Sequence, residues 1–115
     1  LLEGAILDAV GSDAAERVAD LLSERVAERA ADLDPGYAVT PRYSPGYCGM
    51  HLTQQRPLLA AIDASAVGVK LSDVCLMDPI KSVSGLIGIG DNLAIDNIGT
   101  PCQRCSKTDC MMRRE

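Results

Sequence analysis

Four cysteines have a spacing that suits a metal centre. Three lie in the C-terminal segment Cys102-Gln-Arg-Cys105-Ser-Lys-Thr-Asp-Cys110, and the fourth, Cys48, lies far upstream. Thiols separated by two and four residues can converge on one ion, because short loops return the chain to the same point. Tetrahedral zinc and [4Fe–4S] centres both favour four thiolates, so we predict that Cys48, Cys102, Cys105 and Cys110 bind one metal centre.

The spacing does not identify the metal. Zinc held by these thiols would pin the C-terminal segment to the body of the protein, whereas an iron–sulfur cluster would add one-electron chemistry. His51, the single histidine, could ligate a metal, relay a proton or cap a helix, and a structural role is the commonest for an isolated histidine. Cys75 lies between Val74 and Leu76 and is expected to be a small buried apolar residue.

A second group with chemical potential directly precedes Cys48, in the segment Arg42-Tyr-Ser-Pro-Gly-Tyr47. Pro45-Gly46 predicts a tight turn, Arg42 offers a bidentate cation for a carboxylate, and Tyr47 offers a hydroxyl. These residues are a candidate cradle for a small anion or a cofactor. The alternative is an ordinary turn with two packed tyrosines.

The composition excludes several classes of function. The net charge of −5 argues against nucleic acid and anionic membranes as partners, since phosphate binding depends on clustered lysine and arginine. The chain has no Trp, no Phe and only three Tyr, so aromatic platforms for bases are scarce. No apolar run approaches the roughly 20 residues of a membrane span. Five cysteines with a close Cys-x-x-Cys pair suit metal binding better than disulfides. We therefore predict that the protein is located in the reducing cytoplasm.

The chemistry-bearing segments must be positioned by a few short elements and one amphipathic helix. Residues 14–31 predict that helix, because apolar residues recur at every fourth position and charged residues occupy the other side. Gly11-Ser12-Asp13 predicts a break between this helix and the short apolar run 2–10. Asp34-Pro35-Gly36 predicts the end of the helix.

Beyond the helix, the pattern alternates short strands with a second helix. A strand is predicted over 37–40, and Thr53 is predicted to cap a helix over 54–63. A further strand is predicted over 67–71, and Gly90-Asp91-Asn92 predicts a hairpin between 82–89 and 93–95.

The fold class that follows is α+β. We predict one domain covering residues 1–115, with a small antiparallel sheet, flanking helices, and a cysteine-rich tail, 97–115, tied by a metal or cluster. Because the chain begins at Leu1 without a methionine, we expect further N-terminal sequence to precede it.

Several motifs together resemble a known family. They are Arg42-x-x-x-Gly46-Tyr47, Gln54-Gln55, Gly68-Val-Lys-Leu71, Met77-x-Pro79-x-Lys81-Ser-Val-Ser-Gly85, and the terminal Cys-x-x-Cys-x4-Cys-x2-Arg113. In this combination the chain, from about Leu7 to Arg113, resembles the activation domain of vitamin B12-dependent methionine synthase. It is most similar to the short stand-alone forms associated with corrinoid methyltransferases.

The resemblance implies a function. In that family the arginine of the loop holds the carboxylate of S-adenosylmethionine and the tyrosine lies near the cobalamin. Arg42, Gly46 and Tyr47 would then be cofactor-binding, with Tyr47 as the candidate catalytic residue. Because reactivation of oxidised cobalamin needs an electron, the resemblance favours a [4Fe–4S] cluster over zinc. The expected partner is a corrinoid protein or a cobalamin-dependent methyltransferase, and the expected role is its reductive activation.

Two other functions remain in competition. One is a corrinoid-protein binding module with a structural zinc and no redox step. The other is an autonomous S-adenosylmethionine-dependent methyltransferase, against which stands the absence of a glycine-rich loop after a first strand.

Overall fold

The computed structural model describes residues 1–47, 49–91, 93, 102 and 105–111. Its elements in chain order are helix α1 (Leu2–Leu33), strand β1 (Ala38–Val39), helix α2 (Gln55–Ala61), and strands β2 (Lys70–Leu71), β3 (Met77–Asp78) and β4 (Ile89–Gly90). Short 3₁₀ helices, Leu52–Gln54 and Ala64–Val67, precede α2 and β2. One long helix with small antiparallel ladders confirms the predicted α+β class.

Helix α1 is continuous, so the predicted break at residues 11–13 is wrong. Glycine inside a helix costs about 1 kcal/mol relative to alanine. Here a tertiary contact supports the segment, because the aliphatic stem of Lys81 lies over Gly11 and its ammonium reaches Ser12 at 2.7 Å. The helix ends as predicted, with Asp34 as its C-cap. Among the described residues, no helix combines the length and the apolar character of a membrane span.

The strands form two separate antiparallel ladders. Strand β1 pairs with β4, with Val39 opposite Ile89, and β2 pairs with β3, with Leu71 opposite Met77. The predicted hairpin instead joined the β4 region to residues 93–95, of which only Leu93 is described. The observed β1–β4 pairing joins segments about fifty residues apart. Pairing over such a distance cannot be predicted from the turn propensity of neighbouring residues.

The start of the second helix also differs from the prediction. His51, and not Thr53, caps the 3₁₀ helix that leads into α2, because its Nδ1 accepts a hydrogen bond from the Thr53 backbone N–H at 3.2 Å. Pro57 is accommodated in the first turn of α2, where its missing N–H leaves no helical bond unmade.

Few side chains are buried in the described part of the chain. The buried residues there are Ala19 and Ala30 of α1, Cys75 and Gln55. The burial of Cys75 confirms its predicted place in the core. Gln55 is only 4% exposed, and its Oε1 accepts a hydrogen bond from Ser84 Oγ.

Removal of this buried hydrogen bond should destabilise the fold. In Ser84→Ala, the carbonyl oxygen of Gln55 would lose its partner in a place that water reaches poorly. We expect the free energy of unfolding to fall by about 1–3 kcal/mol in urea denaturation. Ser65→Ala removes a hydroxyl that bonds the exposed Asp63, and should change stability by less than about 0.5 kcal/mol. Equal effects of the two substitutions would show that Gln55 does not depend on Ser84.

Candidate functional site

The loop that carries Tyr47 is closed by its own backbone. The N–H of Gly46 donates to Met50 O at 2.7 Å, the N–H of Tyr47 to Ser44 O at 3.2 Å, and the N–H of Met50 to Tyr47 O at 2.9 Å. Gly46 has φ +92°, a conformation in which a side chain would be strained. These amides are engaged inside the turn, so recognition of a ligand would fall to side chains. Tyr47 is the prominent one, with 62% of its surface exposed.

Arg42 lies in a different environment from Tyr47. Its side chain is only 19% exposed, and its Nη2 contacts Glu16 Oε2 at 3.1 Å and Asp20 Oδ1 at 3.5 Å on α1. Its Nη1 donates to Ser23 Oγ at 3.1 Å. A ligand carboxylate would therefore have to compete with two carboxylates of the same chain for this guanidinium.

The structure brings together two of the segments that carry the family resemblance, the loop 42–47 and the segment that ends at Gly85. Tyr43 and Leu86 form an antiparallel bridge, with N···O distances of 2.9 and 2.7 Å. Gly85 makes this approach possible, because a Cβ there would lie 2.7 Å from Arg42 Cγ and 2.9 Å from Tyr43 O. The glycine of the Lys-Ser-Val-Ser-Gly motif thus has a steric role, which depends on a contact with a distant segment and could not be predicted from the motif.

Lys81, the first residue of that motif, fixes the second segment to α1. Its Nζ lies 2.7 Å from Asp8 Oδ1 and donates to Ser12 Oγ at 2.7 Å. No role in positioning the site was predicted for Lys81 or Asp8. The sequence signal for a polar docking face of the helix is a polar residue at every fourth position: Asp8, Ser12, Glu16 and Asp20. We call these four residues the polar row of α1.

A groove of about 700 Å³ lies between α1 and the segment 81–87. Its lining is mostly apolar and includes the two ion-paired cations Arg42 and Lys81. The aliphatic side chains that line it are Val18, Leu22, Val26, Val83 and Ile87.

The predicted metal ligands are described only in part. Cys48 and most of the tail 97–115 lie outside the described residues. Cys102 and Cys110 are half-buried and Cys105 is exposed. Within the described ranges, no three side chains of His, Cys, Asp or Glu are grouped so that they could hold a metal ion. These residues do not by themselves form the centre, and the four-thiolate site stays a prediction from spacing.

His51 has the helix-capping role that was one of its three predicted alternatives. Its Nδ1 lies 3.2 Å from the Thr53 backbone nitrogen and 2.8 Å from Thr53 Oγ1. One ring nitrogen is therefore engaged by the start of the 3₁₀ helix, which fixes the orientation of the imidazole.

Compared with known proteins, the chain matches no family model, no curated protein and no solved structure.

The position of Arg42 predicts a structural effect of its removal. A nearly buried guanidinium with three partners contributes more than a solvent-exposed ion pair, so Arg42→Ala should lower the free energy of unfolding by about 1–2 kcal/mol. The matched control is Arg17→Ala, whose Nη1 lies 3.9 Å from Glu24 Oε1 with both side chains 64% exposed. It should cost less than about 0.5 kcal/mol. Chemical denaturation of both variants tests this prediction. An Arg42→Ala variant as stable as the control would contradict the view that Arg42 attaches its loop to α1.

Proposed function

We propose that this protein is an accessory to a corrinoid protein and serves the reductive activation of a cobalamin-dependent methyltransferase. The observation that carries the proposal is the Tyr47 turn, an exposed phenol on a self-bonded loop that is anchored to α1 through Arg42. A flat corrin macrocycle is largely apolar on its faces, and a rigid exposed aromatic ring is suited to contact it. In this proposal Tyr47 meets the corrinoid, and Arg42 and Gly46 set the position of the turn.

The proposed metal ligands are Cys48, Cys102, Cys105 and Cys110. Support for this part comes from the cysteine spacing and from the chemistry of thiolates, which are the preferred ligands of iron–sulfur clusters and of structural zinc. A [4Fe–4S] cluster supplies one-electron transfer when it is bound, and zinc supplies none. Activation requires cob(II)alamin to gain one electron and become cob(I)alamin, while the donor loses one.

S-adenosylmethionine is the second proposed ligand. Methylation of cob(I)alamin transfers a methyl group from the sulfonium, which leaves as the neutral thioether S-adenosylhomocysteine. Because methylation consumes cob(I)alamin, it draws the unfavourable reduction of cob(II)alamin towards completion. In the proposal Arg42 binds the amino acid carboxylate, in exchange for Glu16 or Asp20.

The metal content separates the redox proposal from a zinc-bound docking module. Iron and zinc should be measured by mass spectrometry, together with visible absorption, on protein purified without oxygen. Cys105→Ser should lose most of the metal, whereas Cys75→Ser, a buried cysteine that is not one of the proposed ligands, should retain it. Iron with visible absorption supports the redox role. A colourless zinc protein would exclude electron transfer, and equal metal loss in both variants would contradict the ligand set.

The role of Tyr47 can be tested with free cobalamin as the probe. Tyr47→Ala should weaken the binding of cob(II)alamin at least about tenfold in a spectroscopic titration, because it removes an exposed aromatic contact. Its unfolding midpoint should not change, since the ring lies in solvent. Tyr37→Ala is the control, because Tyr37 is also an exposed tyrosine in a turn but follows α1. Unaltered cobalamin binding by Tyr47→Ala would refute the proposed contact.

A further inference from the structure

Helix α1 has a second, apolar face whose large side chains are mostly exposed to solvent. A step of two residues along an α-helix turns it by about 200°, so Val10, Ala14 and Val18 lie on a different face from the polar row. One edge of this face, at Ala14, Val18 and Leu22, also lines the groove between α1 and the segment 81–87. The exposed fraction of the large side chains on and beside this face lies between 48% and 71%. We call this face the apolar stripe, and its residues are Ile6, Leu7, Val10, Ala14, Val18, Leu21 and Leu22.

The apolar stripe is symmetric about Ala14. Val10 and Val18 lie four residues to either side of it, Leu7 and Leu21 seven residues, and Ile6 and Leu22 eight. An antiparallel copy of α1 with a twofold axis at Ala14 would therefore place valine against valine and leucine against leucine. The small alanine on the axis would let the two helices approach closely. Such self-complementarity is what an isologous dimer requires.

Charge determines the direction of the pairing. Eleven residues to either side of Ala14 lie Glu3 and Arg25, which both project from the side of α1 that carries the stripe. In the antiparallel register, Glu3 of each copy faces Arg25 of the other, whereas a parallel pair would place like charges together. Arg25 is 81% exposed and already contacts Glu28 at 3.2 Å on its own helix, so it is accessible to a second carboxylate.

We infer that the apolar stripe is the interface of a homodimer, in which two α1 helices pair antiparallel about Ala14. The paired segment from residue 3 to residue 25 spans about 33 Å at 1.5 Å per residue. Two helices of this length bury an area near the lower limit for specific interfaces, which is about 1,200 Å² in total. The dimer should therefore dissociate on dilution, within the micromolar range.

A substitution on the axis tests the interface. Sedimentation equilibrium of the wild-type protein should give a dimer that dissociates with dilution. Ala14→Glu would place two carboxylates face to face, and should raise the dissociation constant at least about 100-fold. The control Ala9→Glu adds the same charge to an exposed helical position on the opposite side of α1, and should leave the dimer intact. Circular dichroism checks that both variants retain the helix.

Charge exchange tests the register. Glu3→Arg and Arg25→Glu should each weaken the dimer about tenfold, because two attractive contacts become repulsive. The double variant restores opposite charges and should recover most of the affinity. If Ala14→Glu loses helicity, this series of charge variants still tests the dimer interface. A wild-type protein that is monomeric throughout the micromolar range, or a double variant weaker than both single ones, would overturn the inference.

Discussion

Two cations that reach from loops to one face of α1 determine how the described part of the molecule is arranged. Arg42 and Lys81 bind the polar row of the helix, and the bridge between Tyr43 and Leu86 joins the two loops to each other. Because so few apolar side chains are buried among the described residues, directional polar contacts define the position of these loops more than hydrophobic burial does. The Tyr47 turn belongs to the same loop as Arg42. The orientation of this turn relative to α1 therefore depends on the ion pairs that Arg42 makes with the helix.

Arg42 and Tyr47 are close in sequence but have different physical roles. Tyr47 is accessible, whereas the guanidinium of Arg42 is held by Glu16, Asp20 and Ser23. A ligand that displaced Glu16 or Asp20 would exchange one carboxylate contact for another, and it would weaken the attachment of the loop to the helix. Binding at Arg42 would then be coupled to the position of Tyr47, since the ligand would favour the state in which the loop is less restrained.

Features that depend on neighbouring residues could be predicted from the sequence. The end of α1 at Asp34-Pro35-Gly36, the strand after it and the burial of Cys75 all follow from local turn chemistry and side-chain type. The contacts that arrange the loops could not, because Arg42 and Glu16 are 26 positions apart and Lys81 and Ser12 are 69 apart. The helix runs through Gly11 for the same reason, since the stabilising contact comes from Lys81 and not from its own turn.

The amphipathic pattern of α1 produces two surfaces, a polar one that binds the loops and an apolar one that is available for pairing. The polar row binds the cations of the two loops, and the apolar stripe lies beside it, where Ala14, Val18 and Leu22 also line the groove. A second copy paired through the stripe would lie along the edge of this groove and would restrict access to it. Tyr47 does not line the groove, so substitutions at Ala14 and at Tyr47 test two separate contacts, and their effects should add.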